Sequence, residues 1–390
     1  MDPRTKLPVV GMVGAGQLAR MTHQAAIALG QSLRLLADSA DDGAALAAAD
    51  VVIGDYHLIE DLRRFAVGCD VVTFDHEHVP NEHLRALAAD GVAVAPGPDA
   101  LRFAQDKAAM RAKLAELNLP SPRWALVADA DALAKFAAEA GWPLVLKAAS
   151  GGYDGKGVWV LDSPEAAEPV LTGLAERGIT ALAEEKAAIR RELAAVVARS
   201  PFGQGAAWPV VETVQRDGIC VEVLAPAPDL DDDLADQAEQ LALRLAAELG
   251  VVGVLAVELF ETTDGSLLIN ELAMRPHNSG HWTIEGSRTS QFEQHLRAVL
   301  DYPLGSTAAT APVTVMANLL GGPEDVTPAG IDERVHHFMA RWPDVKLHLY
   351  GKGMRPGRKV GHVTALGADL DEVRQRAREA ADYLMNGDRS

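Results

Sequence analysis

Two glutamates with apolar neighbours are well suited to hold a metal ion. Glu258 lies in the apolar run 256–260 and Glu271 in the run 268–272, on either side of a predicted turn. A charged group in such a strand is rarely buried without a partner, and Mg²⁺ bound by carboxylates and nucleotide phosphates would supply one. The adjacent Asn270 can add a third oxygen. Two glutamates on an exposed sheet face are the alternative.

A glycine-rich segment, residues 151–157, contains four glycines and a lysine between two predicted strands. It is not a Walker A loop, because Gly157 stands where Ser or Thr would follow the lysine. A flexible hairpin of this composition can close over phosphates, with backbone N–H groups as donors and Lys156 neutralising charge. Lys147, at the end of the preceding strand, is placed to contact the same phosphates. An ordinary β-hairpin turn is the alternative.

The densest polar run of the chain, residues 275–283, follows the strand that carries Glu271 and is called the acceptor loop below. It holds an arginine, two histidines, an asparagine and a serine within seven positions. Loops on a rigid scaffold often carry function, and this one is predicted to bind the acceptor substrate. A second basic cluster spans residues 352–362, for which a solvated charge run is the alternative.

A third motif, Gly14 to Ala19, follows a predicted strand and opens a helix, in the G-x-G-x-x-A pattern of dinucleotide-binding proteins. Asp38 ends the next strand, where a ribose-binding carboxylate is expected. Taken alone, the motif favours an NAD-dependent oxidoreductase. The interaction is not specific to dinucleotides, however, because glycines let the backbone approach any phosphate at a helix N-terminus. A mononucleotide phosphate could therefore use the same geometry.

Composition limits the class of protein. The chain has 390 residues, 48% apolar and 23% charged, which predicts two or three globular domains. No apolar run approaches the roughly 20 residues of a membrane span, and residues 1–8 lack the apolar core of a signal peptide. Cys69 and Cys220 lie in apolar runs and are expected to be buried free thiols. The net charge of -19 argues against nucleic acid. These features predict a cytoplasmic enzyme.

Strands alternate with helices over residues 8–100, which predicts βαβ units and a parallel sheet. One helix, about 104–117, is taken as the connector to a second region. Proline at the first position after Ser163 marks another helix start, and a last helix is expected near 369–385 from its apolar face. Strands are predicted at 8–13, 32–37, 51–53, 70–74, 92–95, 144–148, 158–161, 181–185, 192–198, 208–214, 220–224, 253–260 and 267–272, and a further helix at 229–249.

Together these segments resemble the N5-carboxyaminoimidazole ribonucleotide synthetases, a family of the ATP-grasp superfamily, from Gly11 to about Gly367. The pieces that carry the resemblance are residues 14–21, 74–80, 151–157, 270–283 and 350–362. The resemblance implies an N-terminal Rossmann-like α/β domain with a parallel sheet (1–118), a central ATP-grasp domain of two α+β subdomains (119–305) and a small β-rich C-terminal domain (306–390).

The resemblance also implies an activity: ATP- and bicarbonate-dependent carboxylation of the exocyclic amine of 5-aminoimidazole ribonucleotide in purine synthesis, with Mg²⁺ (or Mn²⁺). The implied partners are that ribonucleotide and bicarbonate, with neither nucleic acid nor membrane, in a homodimer. The residues that match the family's ATP positions are Lys107, Lys147, Gly152, Tyr153, Gly155, Lys156, Gly157, Glu184, Glu185, Lys186, Glu192 and Asn270.

The metal positions of the family match Glu258 and Glu271. Among the site residues, the expected catalytic groups are Lys156 at the transferring phosphoryl group, Arg275 at the carboxyphosphate and Asp154 orienting the amine. The residues that resemble the ribonucleotide site are Gly16, Gln17, Tyr153, Asp154, Arg275, His277, Asn278, Ser279, Lys352, Arg355 and Arg358.

Some positions depart from the family pattern. Asp75 and His76 replace a more usual Glu-Ile, and Thr213 and Gln215 stand where Asn and His are common, so no ATP role is carried to Gln215.

Three alternative functions remain open. An oxidoreductase would not explain the two glutamates or the acceptor loop. Another ATP-grasp ligase, such as a formate-using transformylase or biotin carboxylase, would not need that loop, and a nucleotide sensor would not need paired metal carboxylates.

Overall fold

The computed structural model describes residues 1–151, 157–322 and 328–387. Its N-terminal region is a parallel sheet in the order β3-β2-β1-β4, flanked by helices. Every residue of β1 is buried, as expected for the inner strand of a parallel sheet. The elements are β1 Val9–Val13, α1 Gln17–Ala28, β2 Ser32–Ala37, β3 Asp50–Ile53, α2 Ile59–Ala66, β4 Val71–Phe74, α3 Asn81–Ala89, α4 Pro98–Gln105 and α5 Lys107–Glu116.

The sequence predictions differ from the structure at two places in this region. The predicted strand 92–95 is only a bridge between Val94 and Val72, because Pro96 has no N–H with which to extend a ladder. The helix predicted at about 104–117 is α5, which begins three residues later than predicted, and a second helix, α4, precedes it. Asp106 separates them in an extended conformation, and its carboxylate accepts from the N–H groups of Ala108 and Ala109. This is an ordinary N-cap, which starts a new helix.

A second, antiparallel sheet has the order β5-β8-β6-β7 and is covered by two helices. The prediction of a helix beginning after Ser163 is confirmed: Pro164 is the first residue of α7, and the Ser163 hydroxyl accepts from Ala166 N. The elements are β5 Trp124–Val127, α6 Ala130–Ala140, β6 Leu144–Ala148, β7 Val158–Leu161, α7 Pro164–Glu176 and β8 Ala181–Glu185.

A large antiparallel sheet follows, in the order β14-β13-β9-β11-β12-β15-β17-β16, with β10 paired to β9. Strand β12 pairs with β15, so the last region of the chain continues the sheet of the central region. The elements are β9 Ile189–Arg199, β10 Gly205–Ala207, β11 Val211–Arg216, β12 Ile219–Ala225, α8 Asp232–Glu248, β13 Gly253–Thr262, β14 Leu267–Ala273, α9 Thr283–Gly286, α10 Gln291–Val299, β15 Val313–Leu320, α11 Pro328–Arg341, β16 Lys346–Leu349, β17 Lys359–Gly367 and α12 Leu370–Asn386.

The last region therefore contains helices α11 and α12 as well as strands. The predicted apolar face of the final helix is confirmed, since Val373, Ala377, Ala380 and Leu384 are buried against the sheet. The domain boundaries near 118 and 305 stay predictions. Within the described ranges, no helix combines the length and the hydropathy that crossing a membrane requires.

The two cysteines are free and half-buried. Burial raises the pKa of the Cys69 thiol to about 11 and that of the Cys220 thiol to about 12. Both are therefore protonated at neutral pH and poor nucleophiles.

Candidate active site

A cavity of about 980 Å³ lies where the second sheet, the large sheet and the N-terminal region meet. Its walls come from β6 and β8 on one side and from the β13–β14 hairpin and the acceptor loop on the other, with the start of α1 and the loop after β4 at one end. A volume of this size is at the upper end of the range for ligand pockets.

Two carboxylates face each other on the hairpin at the base of the cavity. Glu258 of β13 and Glu271 of β14 are directly paired in the ladder, and a bulge follows Glu258. Burial, and then the negative charges of Glu271 and Glu192, raise the pKa of Glu258 to about 7. A cation between the carboxylates would relieve this repulsion.

The donor set fits a magnesium-like ion. The side chain of Asn270 contacts Glu258, with Nδ2 3.3 Å from Oε2. No cluster of three or more His, Cys, Asp or Glu ligands forms in residues 1–151, 157–322 and 328–387. The protein thus offers two carboxylates with room for other oxygen ligands, which suits Mg²⁺ bound together with phosphates and water better than a fully protein-ligated metal such as structural zinc.

A buried triad of charges adjoins the carboxylates: Arg111, Lys147 and Glu184. Arg111 Nε lies 2.6 Å from Glu184 Oε1, and Lys147 Nζ lies 2.8 Å from Glu184 Oε2. Burial would raise the pKa of Glu184, but the two cations outweigh that effect and hold it below its ordinary value. Glu184 therefore stays ionised, with each oxygen already paired inside the protein.

The triad also connects the second sheet to the large sheet. The Arg111 guanidinium donates to the carbonyl oxygens of Ile269 and Asn270 at 3.0 and 2.9 Å, and Lys147 Nζ donates to Asn270 Oδ1 at 3.0 Å. A further cation, Lys107 at the start of α5, lies 2.9 Å from Glu271. Because these groups contact the strand that carries Glu271, they position both Lys147 and the predicted metal carboxylate Glu271 at the cavity.

The acceptor loop begins with an arginine held by a carboxylate. Glu77, from the loop after β4, accepts from Met274 N at 2.7 Å and lies 3.2 Å from Arg275 Nε. Farther along, the imidazole of His277 lies 2.8 Å from Ser279 Oγ and 3.4 Å from Glu258 Oε1. Burial, together with the nearby Arg275, lowers the pKa of His277 to about 3, so this ring is neutral at physiological pH.

Unpartnered polar atoms occur in the same loop. The side chain of the half-buried Asn278 contacts the Cys220 thiol, but neither of its polar atoms has a nitrogen or oxygen partner within the described ranges. A side-chain amide whose hydrogen bonds are incomplete costs free energy, and a ligand in the cavity could supply the missing hydrogen bonds.

The glycine motif at the start of α1 is arranged differently from a dinucleotide site. Gly16 N and Ala19 N donate to the carboxylate of Asp75, which is nearly buried at the end of β4. A Cβ on Gly16 would lie only 2.6 Å from Asp75 Oδ2. An internal carboxylate thus occupies the position where a pyrophosphate would bind. Asp38, the expected ribose partner, is exposed and does not line the cavity. This geometry argues against the NAD interpretation.

Comparison with known proteins agrees with this site. Residues 7–105 match a ribonucleotide synthetase preATP-grasp domain, 112–292 an ATP-grasp domain and 314–376 a phosphoribosylaminoimidazole carboxylase C-terminal domain. The N5-carboxyaminoimidazole ribonucleotide synthase of Mycobacterium bovis is 63% identical over 97% of this chain and 88% of its own. The synthase of Corynebacterium ammoniagenes is 52% identical, over 97% and 92%. The chain belongs to the N5-carboxyaminoimidazole ribonucleotide synthase family.

A solved structure extends the comparison to ligands. The N5-carboxyaminoimidazole synthase of Aspergillus clavatus, in complex with ADP and 5-aminoimidazole ribonucleotide, superposes with a TM-score of 0.87 at 32% identity, over 97% of this chain and 98% of its own. The family relationship therefore rests on the whole chain and on all three matched regions.

Most of the site residues predicted from the sequence line the one cavity. Five of them, residues 152–156, lie outside the described residues, among them Tyr153, Asp154 and Lys156. Gly157, Arg355 and Arg358 are described but are not in the lining, and both arginines are exposed. The predicted residues in the lining are Gly16, Gln17, Lys107, Lys147, Glu184, Glu185, Lys186, Glu192, Glu258, Asn270, Glu271, Arg275, His277, Asn278, Ser279 and Lys352.

Sequence reasoning missed several residues at this synthase-family site. Asp75 and Glu77 lie in the segment 74–80 that carried the resemblance, yet they were given no role. Arg111 had a detectable signal, because it shares a helix face with the buried Met110 and Leu114 at helical spacing. An arginine on an apolar helix face indicates a buried charge partner.

Proposed function

We propose that this chain uses ATP and bicarbonate to carboxylate the exocyclic amine of 5-aminoimidazole ribonucleotide, giving N5-carboxyaminoimidazole ribonucleotide, ADP and phosphate. The observation that carries the proposal is the single cavity in which the paired carboxylates Glu258 and Glu271 adjoin Lys147 on one side and the acceptor loop on the other. ATP with its metal would occupy the first part and the ribonucleotide the second. The Aspergillus relative, solved with ADP and the ribonucleotide, supports this assignment.

In this proposal Glu258 and Glu271 hold Mg²⁺, for which Mn²⁺ would be an adequate substitute. The bound ion supplies positive charge to the phosphates of ATP. Lys147, anchored by Glu184 and Asn270, directs its ammonium group at the same phosphates. Lys156 is the further cation predicted for the transferring phosphoryl group.

The chemistry has two steps. A bicarbonate oxygen attacks the γ-phosphorus of ATP, the bond to the ADP oxygen breaks, and carboxyphosphate forms. The amine nitrogen then attacks the carbon of carboxyphosphate, whose bond to the phosphate oxygen breaks, or the carbon of CO2 released when that same bond breaks. In both cases the nitrogen loses a proton. Arg275, held by Glu77, is placed to stabilise the anionic carboxyphosphate. Asp154 is proposed to orient the amine.

The acceptor loop and the neighbouring lysine would recognise the ribonucleotide. His277 is neutral and can hydrogen-bond, while Asn278 offers an amide that has no nitrogen or oxygen partner in the described residues. Lys352 donates to Gln17 across the cavity mouth, which brings the last region against the N-terminal region. Arg355 and Arg358 stay candidates for phosphate contact. We further propose a cytoplasmic homodimer, which size-exclusion chromatography with light scattering would test.

The deciding experiment measures ADP release by the purified protein with MgATP and ¹³C-bicarbonate, with and without 5-aminoimidazole ribonucleotide. We expect ADP formation to depend on the ribonucleotide and ¹³C to appear in an acid-labile product. ADP release that is indifferent to the ribonucleotide would overturn the acceptor assignment, and absence of ADP release under all conditions would overturn the ligase assignment.

A further inference from the structure

The backbone of the acceptor loop is held by a side chain rather than by another strand. Gln291, the first residue of α10, is fully buried and does not line the cavity. Its Oε1 accepts from His277 N at 2.8 Å, and its Nε2 donates to His277 O at 2.7 Å. The side-chain amide thus makes both of the hydrogen bonds that a neighbouring strand would make to this residue. A loop that leaves a sheet needs such partners for its buried backbone groups.

The rest of the loop is fitted around the same amide. Gln291 Nε2 lies 3.1 Å from His281 Nδ1, and a Cβ at Gly280 would collide with Gln291 Oε1. The Thr283 hydroxyl accepts from Gln291 N at 2.9 Å and donates to Gly280 O at 2.6 Å. Residues 277–283 are therefore held by hydrogen bonds to one glutamine, through its side-chain amide and through its backbone N–H.

The residue that Gln291 holds is the one that connects the two halves of the site. With its backbone fixed, the His277 ring can reach Ser279 Oγ at 2.8 Å on the acceptor side and Glu258 Oε1 at 3.4 Å on the metal side. We propose that Gln291 is a positioning residue, which sets the orientation of His277 and thereby the ribonucleotide-binding form of the acceptor loop. This inference rests on the proposed function.

A second glutamine on the same helix provides a matched control. Gln294, one turn later on α10, is also fully buried and clamps a backbone in the same way: its Nε2 donates to Gly305 O at 2.8 Å, and its Oε1 accepts from Gly305 N at 2.7 Å. Gly305 belongs to the segment between α10 and β15 and does not line the cavity. The two glutamines share residue type, burial and the pair of hydrogen bonds to a backbone, and they differ in the segment that they hold and in the additional contact of Gln291 to His281.

The experiment compares Gln291→Met with Gln294→Met, which remove the polar atoms and keep approximate volume. Both should lower the melting temperature, Gln291→Met by more, since each loses two buried hydrogen bonds to a backbone and Gln291→Met also loses the contact to His281 Nδ1. Only Gln291→Met should raise KM for 5-aminoimidazole ribonucleotide, by about tenfold to a hundredfold as expected for a displaced binding group. KM for ATP should stay within about twofold of the wild-type value in both variants, because neither glutamine holds the part of the cavity that is proposed to bind ATP.

Gln291→Glu keeps the inference testable where the methionine variant does not fold. The introduced carboxylate can still accept from His277 N but cannot donate to His277 O. Its defect should therefore diminish as pH falls and the carboxyl gains a proton, whereas Gln294→Glu should show no such pH-dependent change in KM. A ribonucleotide KM that changes equally in the Gln291 and Gln294 variants would overturn the positioning role. Wild-type ADP release that is independent of the ribonucleotide would instead overturn the proposed function, and this inference with it.

Discussion

Replacing Glu184 by glutamine should show whether this residue binds ATP or supports the fold. The sequence resemblance assigns it to ATP, whereas the structure pairs both of its oxygens with Arg111 and Lys147. All three side chains are at least 94% inaccessible to solvent. The triad carries two positive charges and one negative charge. Glu184→Gln removes the negative one and leaves two buried cations facing each other.

The expected loss of stability follows from this charge count. Removing one partner of a buried ion pair costs about 3–5 kcal/mol, because the remaining charge is left without compensation. Arg111 keeps two carbonyl partners and Lys147 keeps Asn270, which places the loss near the lower limit, about 3 kcal/mol. The adjacent Glu185 gives a matched control, since it pairs with the exposed Arg123 at 2.6 Å. Glu185→Gln should cost at most about 1 kcal/mol.

Urea unfolding at pH 7 is the appropriate assay, because guanidinium chloride would screen the charges under study. It should be followed with and without MgATP. The structural role of Glu184 is supported if, without nucleotide, Glu184→Gln lowers the urea midpoint clearly more than Glu185→Gln does. A Glu184→Gln midpoint equal to that of wild type without nucleotide, together with a smaller increase than that of wild type when MgATP is added, would refute it. Since the pKa of Glu184 is held below its ordinary value, its contribution is present above about pH 4.5 and is lost as pH falls further.

Three further predictions concern the site and the core. Glu271→Gln should lower ADP release more than tenfold, since a lost metal ligand costs several kcal/mol of charge stabilisation; turnover within about tenfold of wild type would contradict the metal assignment. Glu77→Gln keeps an acceptor for the backbone but removes the charge beside Arg275, so ribonucleotide KM should rise about fivefold with ATP KM unchanged. Burial lowers the pKa of His295 to about 4, and Val254 N–H donates to its Nδ1. The unfolded chain therefore takes up the proton near pH 6.5, and stability should fall between pH 6.5 and 4. Urea midpoints of His295→Gln should show a shallower pH dependence than those of wild type; identical slopes would contradict this.

The local sequence was sufficient to predict most strands. It was not sufficient where a single residue changes the path of the backbone. The runs at 32–37, 144–148, 158–161 and 181–185 are strands with the predicted bounds, because each is a short apolar run of strand-forming residues. The helix predicted at 104–117 was given too early a start, and α4 was missed, because Asp106 was taken as part of one helix and not as the N-cap of α5.

The candidate site was predictable as a set of residue types but not as a set of contacts. Glu258 and Glu271 could be placed on one hairpin, because the turn between them fixes their pairing. The triad could not be found in this way: Arg111 and Glu184 are 73 residues apart, and the carbonyls that Arg111 holds are about twice as far along the chain. Whether a charged residue binds a ligand or another residue depends on such long-range contacts, which residue type and spacing do not contain.

The glycine motif at the start of α1 is a second case in which the local sequence does not identify the partner of a charged or polar group. A helix N-terminus with close-packed glycines can accept any anion that reaches it, and the local sequence does not say whether that anion comes from a ligand or from the protein. Here the carboxylate of Asp75, 59 residues away, reaches Gly16 N. It can do so because β4 is the parallel neighbour of β1, so both strands end at the same edge of the sheet. The residue that follows the neighbouring strand therefore decides between the dinucleotide interpretation and an internally capped helix, and a sequence test for this motif must include that position.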